Sequence, residues 1–579
     1  MRKVRGLQLN RVSRPALSNP RFLWGALGEK KKYALGESIA NLSAGLCEAG
    51  ILSILATVSV SIVQNDSDRV AFGLGGEWTI RSALVLLVAL ALARFTLLEF
   101  GVFCNANTQK SMNLKLREMV IDAHRNASWT AQQGTEGGSF QQIMVIMPSE
   151  ISSQLSTLAQ QFGYFLMTVA LIAYAFILNL SFTLGLLAVT ALVTAMFGPL
   201  RRKIKQKSSS QVRLQRRLSF MAEEFDELRD EIHAFAVGDA LSERIKVASQ
   251  DEQRAQFSIS LLKSSVMPSF STVMYGALAF SLAILFLGGS SNVGELGPIL
   301  LVVLRSLSYG QGLQAAAAGF AALNPKVEYL RSELDRLAES RRVQGTQSLD
   351  TFEHLGFGDV SFSYSAQLPS ALDGVSLVVE RGDRVGVVGR SGGGKSTLIR
   401  LLMGFVDPSK GDVTVNGVAL SSIRSSDWSS RIGFVPQSSK LFSGSVADNV
   451  RFFRSGISDE DIWAALERAD FARDVRSWDL GIHTSLGPGG RGLSGGQCQR
   501  LTIARALVHD PEILIFDEPT SSVDAESERA VSDSLRELAS DVTVIVVSHR
   551  LDILTGFSRQ VTLEGGRIVR DESLGPESM

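Results

Sequence analysis

Gly389-Arg390-Ser391-Gly392-Gly393-Gly394-Lys395-Ser396-Thr397 decides the reading of the C-terminal half of this chain. An apolar run, Val385 to Val388, leads into it, and a helix-like run, Leu398 to Met403, leads out. Strand, glycine-rich loop and helix in that order make a phosphate-binding loop. The chemistry dictates the residue types. Glycines let backbone N–H groups turn inward around phosphate oxygens, and the start of a helix favours negative charge. Lys395 is expected to bridge the β- and γ-phosphates of ATP, and the Ser396 hydroxyl to supply an oxygen to Mg2+. Gly389, Ser391, Gly392, Gly393, Gly394 and Thr397 complete the expected nucleotide contacts of the loop. Far downstream, Ile513-Leu514-Ile515-Phe516-Asp517-Glu518 reads as a buried parallel strand whose C-terminal end delivers two carboxylates. Asp517 is expected to support Mg2+ through its water shell and Glu518 to orient or deprotonate an attacking water. The plain alternative, a solvated acidic strand end, is disfavoured by the loop upstream.

Between these two motifs lies Leu493-Ser494-Gly495-Gly496-Gln497, followed by a helical run from Arg500 to Leu507. This segment resembles the signature of the ABC transporter family, in which it completes the ATP site of the opposite subunit. The resemblance makes Ser494, Gly495, Gly496 and Gln497 nucleotide-binding residues, with the serine hydroxyl and glycine amides at a helix start suited to a γ-phosphate. Other family motifs match residue by residue. Tyr364 resembles the aromatic that stacks on adenine. Gln437, in Val-Pro-Gln, resembles the glutamine that senses Mg2+ and contacts the membrane domain. Asp524 resembles the D-loop aspartate, and His549 the switch histidine near the γ-phosphate, a catalytic role shared with Glu518. Two positions depart from the pattern. Pro488 stands where many exporters have Glu, which bears on one contact with the intracellular loops and not on hydrolysis. Cys498 stands where Lys or Arg is common.

Working outward, the N-terminal half has a different composition. The chain has 579 residues, of which 45% are hydrophobic, and a formal net charge of zero, which gives no argument for nucleic-acid binding. Six apolar stretches approach the roughly 20 residues that a spanning helix needs: 40–64, 80–104, 158–179, 182–200, 267–288 and 297–321. The connections 65–79, 179–181 and 289–296 are short and poor in Lys and Arg. Those at 105–157 and 201–266 are long and basic, the second opening with Arg201, Arg202, Lys203, Lys205 and Lys207. The positive-inside rule places the long connections and both termini in the cytoplasm. Met112, Leu114, Leu116, Met119, Val120 and Ile121 in the first long connection recur at helical spacing. So do Phe220, Met221, Phe225, Leu228, Ile232 and Ile245 in the second. Both read as helical extensions that link mechanically to the ATPase, in preference to a hairpin packed on itself. The basic N-terminus is not followed by a cleavable signal peptide. Cys47, Cys104 and Cys498 have neither disulfide nor zinc spacing and read as small apolar residues.

The expected fold is therefore an α-helical membrane domain of six long helices with intracellular extensions, fused to an α/β phosphate-loop ATPase. The expected divisions are a cytoplasmic segment at 1–35, a transmembrane domain at 36–325, a linker at 326–350 and a nucleotide-binding domain at 351–579. The resemblance covers nearly the whole chain and implies a half-transporter acting as a homodimer, a heterodimer being the alternative, in a bacterial inner membrane with the ATPase in the cytoplasm. Glu48, Arg94, Glu99 and Arg305 fall in or near the apolar stretches, where a charge costs about 2.5–3.5 kcal/mol. Glu48 and Arg94 have two open readings, a structural ion pair and a substrate role. Arg305 is a candidate anchor for an anionic group. Glu48, Arg94 and Arg305 also resemble charged positions in flippases of lipid-linked oligosaccharides, so the first functional reading is ATP-driven export or flipping of such an amphiphile, with Arg94 and Arg305 as candidate contacts. A peptide or small-molecule exporter is the alternative, as are an importer of this fold and a regulatory ABC ATPase without transport.

Overall fold

The computed structural model describes residues 19–63, 69–72, 76–134, 139–155, 194–287, 293–342, 345–365, 367–519, 542–549 and 556–574, with isolated positions between them. They form two compact units. One comprises residues up to Ala127 and Ala131–Ser340; the other comprises Ser128–Thr130 and Arg341–Met579.

The first unit is helical. A short α1, Asn19–Ala26, precedes α2, Lys31–Val63, and α3, Ile80–Asn126. Thr79 starts α3 as its N-cap, its hydroxyl accepting from the Ser82 amide at 3.2 Å. Among the described residues, α2 and α3 are long and apolar enough to cross a membrane, over Lys31–Leu55 and Ile80–Asn126. The connection between them, expected as a plain loop, is an antiparallel hairpin of β1, Arg69–Phe72, and β2, Gly76–Thr79. Most of residues 158–179 and of 182–200 lie outside the described residues. The stretches 267–288 and 297–321 fall on α5, Gly238–Leu287, and α6, Val293–Glu339. Helix α6 continues to Glu339, through much of the segment read as a linker.

Both long connections are helical. Beyond the apolar part of α3, Met112, Leu116 and Val120 recur every fourth residue and are fully buried. They pack with Ile143, Met147, Val212, Leu323 and Val327. Leu114 and Ile121 face outward. Helix α4, Gly198–Glu227, begins the second connection. There the apolar pattern does not mark a core: of the six residues singled out, only Met221 is buried, and Phe220, Phe225 and Leu228 are exposed. The Arg94 guanidinium lies 3.4 Å from the Glu48 carboxylate, and the Tyr309 hydroxyl donates to the same oxygen at 2.8 Å. The structure thus forms the ion pair that was one of two readings of these residues.

The second unit is α/β. A four-stranded antiparallel sheet contains β3, His354–Phe362, β4, Leu372–Glu380, β6, Lys410–Val415, and β7, Val418–Ala419, in the order β4-β3-β6-β7. A six-stranded sheet contains β5, Arg384–Val388, β8, Ile432–Val435, β9, Ile513–Asp517, β10, Thr543–Ser548, β11, Arg559–Glu564, and β12, Arg567–Ser573. Its order is β12-β11-β5-β10-β9-β8, parallel except for the β11–β12 pair. Every residue of β10 and the first four of β9 are buried, as continuous apolar runs in a covered parallel sheet require. The strands β5, β9 and β10 are neighbours, so their C-terminal ends bring Val388, Asp517 and Ser548 to one edge.

Candidate active site

The loop after β5 is shaped for close backbone approach. A Cβ on Gly389 would lie 2.1 Å from the Leu563 carbonyl oxygen. Gly394 has φ +103° and caps helix α7, Lys395–Leu402. Side chains are excluded at both positions, which leaves backbone amides to face a ligand. Lys395 is 6% exposed and donates to the carbonyls of Gly389 at 2.9 Å and Arg390 at 3.2 Å. Ser391, Gly392 and Ser396 are exposed, whereas Gly393 and Thr397 are buried.

Glu518, immediately after β9, is where the separate motifs meet. Its backbone has φ +47°, a left-handed conformation uncommon for a non-glycine residue and frequent at functional sites. One carboxylate oxygen is 3.7 Å from the Lys395 ammonium. The other accepts from the Gln437 side-chain amide at 3.0 Å and lies 3.8 Å from His549 Nδ1. Residues 395, 437, 518 and 549, far apart in sequence, therefore converge. Asp517 is half-buried beside them. Burial and the neighbouring Glu518 push its carboxyl above the usual range, against the pull of Arg400 and Lys395.

Tyr364 is 41% exposed; its hydroxyl lies 3.1 Å from the Thr397 hydroxyl, and it also contacts the Arg400 guanidinium, whose carbon is 5.7 Å from the ring centroid. Its ring therefore stands against the phosphate-loop helix with one side open to solvent. The donors present fit Mg2+: the Ser396 hydroxyl, the Asp517 carboxylate and the Gln437 amide oxygen are hard oxygen ligands of the kind that ion takes. Among the described residues no group of three His, Cys, Asp or Glu is arranged to hold a metal ion by itself, so such an ion would depend on nucleotide phosphates as well.

The signature segment forms a separate surface. Ser494 caps helix α8, Gly495–Leu507, in a reciprocal capping box: its hydroxyl accepts from the Gln497 amide, and the Gln497 side chain accepts from the Ser494 amide. The other end of the Gln497 side chain donates to Asp474 at 3.4 Å. Ser494 and Gly495 are exposed and Gly496 is buried. Among the described residues, no side chain of 494–497 bonds to the phosphate loop of the same chain. Asp524 lies outside the described residues. Arg305 is placed on α6, but its side chain is not described.

Two arginines at or near these motifs were not singled out from sequence. Arg400 sits one helical turn after Ser396, an i, i+4 relation that could have drawn notice. Arg505, on α8, donates to the Asn449 carbonyl at 2.8 Å, the Asn449 side chain at 3.0 Å and the Lys440 carbonyl at 3.1 Å. It ties the signature helix to the segment just after Gln437. Burial, with Arg454 nearby, pushes its guanidinium down to about 10.

Two family profiles match the chain: the ABC transporter domain over residues 372–521 and the ABC transporter transmembrane region over residues 39–308. An uncharacterised ABC transporter ATP-binding protein, y4gM of Sinorhizobium fredii, is 31% identical over 428 residues, covering 71% of this chain and 72% of that one. This chain belongs to the ABC transporter family. An ATP-dependent lipid A-core flippase of Neisseria meningitidis is 33% identical over 282 residues, and the match covers 48% of this ABC transporter but only 45% of the flippase. A bacterial Atm1-family ABC exporter, solved with ATP bound, superposes with a TM-score of 0.78 over 94% of this chain and 95% of that one. At 24% identity that likeness shows the fold: a helical membrane domain fused to an ABC ATPase domain.

Proposed function

We propose that this ABC transporter is a half-transporter that pairs with a second copy of itself, hydrolyses ATP and moves an anionic amphiphile from the cytoplasmic leaflet outward. The observation that carries the reading is the convergence of Lys395, Gln437 and His549 on Glu518. Lys395 holds terminal phosphate oxygens, Glu518 takes a proton from the attacking water, and Gln437 and His549 hold that carboxylate in line. Mg2+, held by Ser396 and Asp517, supplies charge neutralisation at the phosphates when bound. The exposed N-terminus of α8 at Ser494 and Gly495 supports the pairing, since a helix start open to solvent suits the γ-phosphate held by another copy. ATP then favours the closed pair because only that state makes both sets of contacts.

The name of the Neisseria lipid A-core flippase supports a lipid as substrate, and lipid-linked oligosaccharides are the first class to test. Arg305 is the proposed anchor. Arg94 is proposed to act with its partner Glu48, whose carboxylate also accepts from Tyr309. The test is ATP-driven movement of a fluorescent lipid-linked oligosaccharide across proteoliposomes, with Glu518→Gln as the blank. Movement by the wild type alone supports the reading. ATP hydrolysis without movement removes that substrate and brings peptides and small molecules forward.

A further inference from the structure

Three consecutive lysines, Lys30, Lys31 and Lys32, followed by Tyr33, stand at the start of α2, Lys30 just before its first residue. Lys31 Nζ lies 5.5 Å from the Trp24 ring centroid, and Lys30 and Lys32 lie 5.8 and 5.5 Å from that of Tyr33. Among the described residues no carboxylate pairs with any of the three. Helix α1 and the residue after it bury Leu23, Ala26 and Leu27 in the helical core, while Trp24 is 46% exposed. One and two turns further along α2, Leu35 and Ile39 are also exposed, at 51% and 63%. The segment Lys31–Leu55 is apolar enough to cross a membrane. The lysines and aromatic rings thus mark the end of a spanning segment, with bare apolar side chains just beyond them. Trp and Tyr favour the headgroup boundary, and basic residues there attract anionic lipids. A free anion in water would leave Trp24, Leu35 and Ile39 exposed, whereas a phospholipid satisfies both charge and apolar surface with one molecule.

We propose that Trp24, Lys30, Lys31, Lys32 and Tyr33 form a docking surface for the phosphate headgroup of an anionic phospholipid, with its acyl chains against Leu35 and Ile39. The proposal rests on the reading that α2 spans the membrane. Lys31 packs on the Trp24 ring, and Lys30 and Lys32 on that of Tyr33, so each ammonium group rests against an aromatic ring, and the lipid phosphate lowers their mutual repulsion.

The test uses the full chain reconstituted in phosphatidylcholine, with either brominated phosphatidylglycerol or brominated phosphatidylcholine at equal mole fraction. Quenching of the Trp24 component is read as the difference between the wild type and Trp24→Phe. Stronger quenching by the brominated phosphatidylglycerol is expected. That preference should fall about fivefold for each of Lys30→Gln, Lys31→Gln and Lys32→Gln at low salt, and survive Lys31→Arg. Helical circular dichroism and gel-filtration elution confirm that the variants are folded. Equal quenching by the two lipids overturns the headgroup site while leaving α2 in the bilayer. No quenching by either overturns the spanning reading as well. Loss of the preference when inorganic phosphate replaces chloride at constant ionic strength overturns the lipid assignment in favour of a free-anion site.

Discussion

The Gln437 side-chain amide donates to Glu518 at 3.0 Å, which fixes one oxygen of a carboxylate whose other oxygen faces Lys395. A base held on both sides loses little freedom when it meets a water. Glu518→Gln should lower steady-state ATP hydrolysis by at least about a hundredfold and leave ATP binding intact. Phosphate release and nucleotide binding, measured on the same preparation, check this. Full turnover by the variant would remove Glu518 from the role of base.

The stacking proposed for the Tyr364 ring can be separated from the contacts of its hydroxyl. Tyr364→Ala should weaken ATP binding by about tenfold through lost stacking on the base. Tyr364→Phe keeps the ring and loses only the contacts to Thr397 and Arg400, so its affinity should stay within about threefold. Titration with a fluorescent ATP analogue distinguishes the two variants.

Asp517 makes stability depend on pH. Its folded carboxyl is raised above the unfolded value by burial and by Glu518. The folded state therefore holds a proton that the unfolded chain releases, and this contribution is complete below the ordinary carboxylate range and lost as pH rises through the raised value. Asp517→Asn should flatten that part of the profile and raise stability at neutral pH. Denaturation midpoints of the full chain across mildly acidic to neutral pH check the sign.

Arg505 makes three hydrogen bonds at the junction of α8 with the segment after Gln437. Arg505→Ala leaves those acceptors without their donor and should destabilise the ATPase unit by about 3 kcal/mol. Calorimetry of the full chain reads the loss, and Arg505→Lys should recover only a small part because lysine lacks the planar fork.

Glu48 and Arg94 should couple. Glu48→Ala leaves the Arg94 charge without its carboxylate and should lower thermal stability more than the Glu48→Ala, Arg94→Ala pair does. A double-mutant cycle of melting temperatures in detergent measures the coupling. Strict additivity would show that the 3.4 Å contact contributes nothing.

The nucleotide site was readable because phosphate chemistry demands particular residue types in a fixed order, from Gly389 to Thr397 and at Asp517–Glu518. Charged residues inside apolar runs were equally informative: Glu48 and Arg94 each predict a partner, and the fold joins them. The left-handed backbone of Glu518 could not be read from sequence; in the fold its amide donates to the Val547 carbonyl of β10 at 2.9 Å, a bond between residues distant in the chain. Nor could the bonds of Arg505, since an arginine on a helix looks alike whether it faces water or two distant carbonyls. The hairpin at 69–79 lacks the Asn-Gly or Asp-Gly turn that would have announced it. Phe220, Phe225 and Leu228 misled in the other direction: their spacing is that of a buried stripe, yet the fold leaves them at the surface.

Helix α3 has 47 residues and no proline. It is about 70 Å long, more than twice the thickness of a hydrocarbon core. Helix α5, by contrast, carries Pro268 inside it, a natural place for a bend. A rod with no internal break works as a lever with no joint. A tilt of about 10° pivoting near residue 104 swings the far end through about 6 Å. Any rotation imposed on that end therefore returns, undamped, to the apolar part of the helix.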